Sequence, residues 1–160
     1  MLCAMDVLGG QFGRYDKRLA HDKQPQLGAH LVTPRLGFAH HGIYVGDGKV
    51  VHYGSAFGHH LLGGPVEVVS LADFALGHAV WVRSHGPHTF DSAEIVRRAC
   101  SRVGENGYHV LRNNCEHFCE WCLHGEHRSY QVERLMALPL KIAALFARLL
   151  PASPLQTPES

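Results

Sequence analysis

The chain has 160 residues, 46% of them hydrophobic and 18% charged, with a formal net charge of +1 when histidines are neutral. That length suits one domain with its own core, and the near balance of charge offers neither a basic field for nucleic acid nor an acidic solvating tail. Five cysteines, an odd number with three close together, fit poorly with a closed disulfide framework and point to a reducing, cytoplasmic setting. Fourteen histidines make the charge climb steeply below about pH 6.

Residues 1–27 are interrupted by Gly, Lys and Arg, so a loosely ordered arm is expected. Their opening stretch lacks the charged start and long apolar core of a signal peptide. Residues 28–34, GAHLVTP, read as a strand closed by Pro34. Residues 39–54, AHHGIYVGDGKVVHYG, are two apolar, β-branched runs around Asp47 and Gly48, which predicts a hairpin. A Gly-rich loop over 55–65 and a short strand over 66–70 follow. Ser70 is placed to cap a helical turn through Phe74, with Asp73 as its partner.

Residues 79–84, AVWVRS, predict another strand, and 91–104 a helix capped by Asp91 or Ser92 and stopped by Gly104. A short strand is expected over 108–111. Asn113 or Asn114 then caps a helix starting near Cys115, and Gly125 ends it. A last helix starts near Ser129 and should be interrupted or kinked at Pro139. Residues 151–160 are rich in Pro and Ser and read as a disordered tail. Strands first and helices later predict an α+β fold with a mostly antiparallel sheet and packed helices.

The chemistry concentrates in residues 113–127, NNCEHFCEWCLHGEH. Cys119 and Cys122 have zinc-knuckle spacing, but no second CxxC pair exists to complete a structural site. On a helix, Cys115, Cys119 and Cys122 fall on one face, where the last two suit a core role. Cys115 differs because it directly follows the capping asparagines. The unpaired N–H groups and dipole of a helix start favour a thiolate and can hold an oxyanion.

A nucleophile needs a base, and the hairpin offers His40, His41 and His52. A two-residue loop of Asp47 and Gly48 would pair Ile43 with His52 and put His40 and His52 on opposite faces. A three-residue loop starting at Gly46 would pair Gly42 with His52. His40 and His52 would then be diagonal neighbours on one face, with His41 pointing away. Pattern alone leaves both open.

The block HHGIYVGDGKVVHY, followed much later by NNCEHF, closely resembles the lecithin:retinol acyltransferase family, which includes phospholipase A/acyltransferases. The resemblance covers roughly residues 28–132. It implies a circularly permuted papain-like fold of the NlpC type. It also implies that Cys115 attacks a phospholipid ester to form a thioester, with His40 as its base and His52 orienting His40. The acyl group then passes to water, an alcohol or an amine. Arg35 aligns with an arginine near the site in some members. Arg35 and Asn114 are therefore candidates for holding an oxyanion or the substrate.

The resulting expectation is a cofactor-free, metal-free acyltransferase or hydrolase with an acyl-lipid substrate and no nucleic-acid partner. Its catalytic domain would span 28–134. Residues 135–150 are too short and too interrupted to span a bilayer. They form an amphipathic helix that either packs on the core or lies on a membrane surface. A cysteine amidase or peptidase of the wider superfamily and a non-catalytic zinc module are the alternatives.

Overall fold

A computed structural model describes residues 16–149 except 21, 36, 55–62 and 85, with the backbone alone over 141–149. The strands are β1 (Lys17–Arg18), β2 (His30–Arg35), β3 (Phe38–Gly46), β4 (Lys49–Tyr53), β5 (Val66–Ser70) and β6 (Trp81–Val82). They form one antiparallel sheet in the order β1-β6-β2-β3-β4-β5. The helices are α1 (Leu71–Ala75), α2 (Ser92–Ser101), α3 (Cys115–His124) and α4 (Tyr130–Leu149). The architecture is α+β, as the order of patterns predicts.

Alternation along the strands gives the sheet two apolar faces. Ile43, Val51 and Tyr53 pack with Ile95 and Ala99 of α2 and with Phe118, Cys119, Cys122 and Leu123 of α3. Leu31, Tyr44 and Val50 pack with Phe74 of α1 on the other face. The caps stand where the sequence places them. Ser70 accepts from the Asp73 N–H, Asp91 from the Glu94 N–H, and Asn114 from the Glu116 and His117 N–H groups. Gly125 ends α3 with φ of 78°, a conformation that costs glycine little.

Several expectations need correction. Residues 108–111 are not a strand. His109 and Asn113 make an isolated bridge across a turn, with Val110 and Leu111 exposed at its tip. The strand read over 79–84 shrinks to the two residues of β6. The last helix is not interrupted at Pro139 but runs from Tyr130 to Leu149 with the proline inside it. The turn before Pro139 is exposed, so water can replace the hydrogen bond that the proline removes. Within residues 1–27, Lys17 and Arg18 pair with β6. The part of that segment through residue 15, most of the Gly-rich loop and the tail lie outside the described residues.

Candidate active site

The hairpin combines features of both loop readings. Its turn has two residues, Asp47 and Gly48, both with positive φ. A register shift between Tyr44 and Gly46 inserts one extra residue, Val45, into β3. Ile43 therefore pairs with Val51, and Gly42 comes opposite His52. This is the register of the longer loop, reached by a bulge within the strand. His40 and His52 then share a face, with His40 Nε2 2.7 Å from His52 Nδ1. Both rings lie beside Phe74, at centroid distances of 5.3 and 5.7 Å.

Cys115 arrives from the other side of the sheet, at the first position of α3. Its thiol lies 4.0 Å from the Ala39 carbonyl and against the His41 backbone N–H. Those two groups flank His40 in sequence. The adjoining strand edge is closed by Gln131, whose amide accepts from the Ala39 N–H at 3.0 Å and donates to the Ala39 carbonyl at 3.2 Å. Asn114 fixes the helix start through a capping box with His117 and ties it to the Val110 carbonyl and Ser129.

Burial decides the charge state of the thiol. Cys115 is 3% exposed, and loss of solvation pushes its pKa up to about 12. The His41, Glu116 and Cys115 N–H groups pull the other way, and the Glu116 carboxylate adds to the rise. The N–H groups at the helix start do favour the thiolate, but desolvation exceeds their stabilisation, and the resting thiol is neutral. His52 behaves similarly. Burial lowers its pKa to about 4 against the Tyr53 backbone, with Arg35 assisting, so its resting ring is neutral.

A cleft of about 190 Å³ reaches His40 and His52 and is also lined by Arg35, Phe38, Glu67 and Tyr108. The Arg35 guanidinium donates to the carbonyls of Phe74, at 2.6 Å, and Pro34, at 3.0 Å. It thereby clamps the end of α1 to β2, within electrostatic reach of Cys115.

A buried polar network behind the thiol escaped the reading of the motifs. His41, expected to point away from His40, is fully buried, with Nδ1 2.8 Å from His30 Nε2 and Nε2 3.0 Å from the Gln131 amide. Glu116 Oε2 accepts from Ser129 Oγ and the Gln131 N–H, each at 2.8 Å, and Oε1 accepts from Arg83 at 2.8 Å. Burial raises the Glu116 pKa, but His41, these donors and Arg83 together hold it at about 2. Polar residues at 30, 41, 116 and 120 within otherwise apolar stretches were the available signal. Cys119 and Cys122 are fully buried in the core, and Cys100 is exposed. Among the described residues, no three His, Cys, Asp or Glu side chains come together to hold a metal, and no helix is long and apolar enough to cross a membrane.

The family model described as lecithin retinol acyltransferase matches residues 23–128. Phospholipase A and acyltransferase 2 of Homo sapiens is 34% identical over 126 residues, covering 68% of this chain and 76% of that protein. Lecithin retinol acyltransferase of Rattus norvegicus is 31% identical over 131 residues, covering 65% of this chain. Phospholipase A and acyltransferase 4 of Homo sapiens is 29% identical over 127 residues. The chain spans 56% of the length of the rat lecithin retinol acyltransferase.

Proposed function

The chain belongs to the lecithin retinol acyltransferase family, and on that premise we propose that it is a cysteine acyltransferase or hydrolase acting on acyl esters of phospholipids. The observation that carries this reading is the His40–His52 pair at 2.7 Å beside the backbone that holds the Cys115 thiol. His40 Nε2 is engaged by His52, so Nδ1 is the nitrogen to take a proton from Cys115. Because the resting thiol is neutral, proton transfer accompanies attack. The S–H bond breaks as the C–S bond to the ester carbonyl forms, and His40 carries the proton.

The oxyanion is held by the His41 and Cys115 N–H groups that face the thiol. Arg35 adds a fixed positive charge, and Asn114 keeps the helix start in place. Collapse of the tetrahedral intermediate leaves an acyl thioester, while His40 gives its proton to the departing alcohol. Water, an alcohol or an amine then takes the acyl group by the reverse sequence. The permuted papain-like arrangement is our reading of α3 set against the sheet, with residues 28–134 as the catalytic unit. Leu135, Met136, Leu138 and Leu140 are exposed on α4, which suits a helix resting on a lipid surface at the cytoplasmic side.

Phosphatidylcholine labelled in its acyl chains tests the chemistry. Mass spectrometry should find the acyl group on Cys115. Cys115→Ser should abolish turnover, His40→Ala should lower it by about three orders of magnitude, and Cys119→Ala should retain it. Turnover surviving in Cys115→Ala would refute the reading.

A further inference from the structure

The neutral His52 ring carries one N–H, and the direction of the His40–His52 hydrogen bond depends on where that proton sits. If it sits on Nδ1, His52 donates to His40 Nε2. The His40 proton is then on Nδ1, and His40 cannot receive one from Cys115. If it sits on Nε2, His52 Nδ1 accepts from the His40 Nε2–H, and His40 Nδ1 presents its lone pair. Only the second arrangement makes His40 a base.

His52 Nε2 is buried and has no hydrogen-bond partner among the described residues. The Glu67 carboxylate on β5 stands 3.5 Å from it, in direct cross-strand register with His52. Position 54 makes this placement possible. A β-carbon on Gly54 would lie 2.7 Å from Glu67 Cδ, so the carboxylate rests in space left by the missing side chain. Among the described residues, Arg35 from β2, His40 from β3 and the Tyr53 backbone from β4 are the other charged, titratable or polar groups against His52, and Phe74 of α1 is apolar.

Building on the proposed thioester mechanism, we propose that Glu67 is a positioning residue that holds the His52 proton on Nε2 and so sets His40 as the base, with Gly54 keeping room for its carboxylate. Glu67 is about half exposed, so its effect comes from this short-range placement and not from a deeply buried charge. When His40 becomes an imidazolium, its Nε2–H donates to His52 Nδ1 while the His52 Nε2–H faces Glu67. The proton stays on His40, and the carboxylate balances the charge.

Two perturbations separate the roles. Glu67→Gln removes the negative charge with little change in size, and Gly54→Ala displaces an unchanged carboxylate. Each should lower kcat with labelled phosphatidylcholine about tenfold, with KM retained. Glu67→Asp should recover part of that loss. The acid limb of kcat/KM should move to lower pH in Glu67→Gln, because a nearby anion raises the pKa of the histidine base. Nitrogen-15 NMR of the substrate-free protein should find the His52 proton on Nε2 in the parent and a shift toward Nδ1 in both variants. An unchanged His52 tautomer, or kcat within about twofold of the parent, would overturn the role of Glu67. The tautomer is read without turnover, so this failure is distinct from turnover surviving in Cys115→Ala.

Discussion

His40 Nε2 and His52 Nδ1 lie 2.7 Å apart across a hairpin whose tight turn alone would have set them on opposite faces. The two rings should behave as one unit in the proposed reaction. His52→Ala is expected to lower kcat by about two to three orders of magnitude, with KM little changed. Adding His52→Ala to His40→Ala should cost almost nothing further. Steady-state kinetics of the two single variants and the double variant checks this, and independent, multiplying losses would argue against a shared role.

Thiol chemistry should follow burial. Cys100 is exposed, whereas Cys119 and Cys122 are fully buried. Iodoacetamide is expected to label Cys100 first and to spare the other two until the protein unfolds. The thiolate is the reactive species, and the pKa of Cys115 is pushed up to about 12. Its labelling should therefore be slow at neutral pH and still rising beyond pH 9. Peptide mapping across a pH series reads all of these sites.

Glu120 has a testable linkage. Burial raises its pKa to about 7, and the neighbouring Glu116 carboxylate adds to the rise. A raised folded pKa contributes stability that is present below the unfolded value of 4.5 and lost as pH rises through about 7. Glu120→Gln stays neutral and escapes that loss. Relative to the parent, its stability should rise between pH 4.5 and 7 by up to roughly 3 kcal/mol. Urea denaturation at pH 5 and pH 8 measures the difference, and a gap independent of pH would contradict the assignment.

Gly42 leaves the space in which the histidine pair meets α1. A β-carbon there would lie 2.6 Å from Val50 Cγ1, 2.9 Å from Phe74 Cε2 and 3.3 Å from His52 Cβ. Gly42→Ala should destabilise the protein by about 1–3 kcal/mol through overpacking. It should also lower activity by pushing His52 aside. Thermal unfolding with parallel kinetics checks both effects.

Local rules were legible without the fold. A hydroxyl, carboxylate or amide before an apolar run fixes a helix start, and so Ser70, Asp91 and Asn114 cap α1, α2 and α3. The alternation around Asp47 and Gly48 announced the hairpin, and the spacing of HHGIYVGDGKVVHY and NNCEHF announced the family. A weak local signal failed at 108–111, where apolar residues form an exposed turn, and at Pro139 the helix is not interrupted, because water can replace a lost hydrogen bond.

Tertiary structure decided what depends on neighbours distant in the chain. The bulge at Val45 chose the face on which His40 and His52 meet. Burial outweighed the pull of the helix start on Cys115, since desolvation depends on everything packed around a thiol and the cap beside it is only one contribution. Strand pairing brought Glu67 to His52, with Gly54 leaving space for the carboxylate. Local spacing determines which residues can carry chemistry. Their proton positions and charge states follow from contacts that form only when the chain is folded.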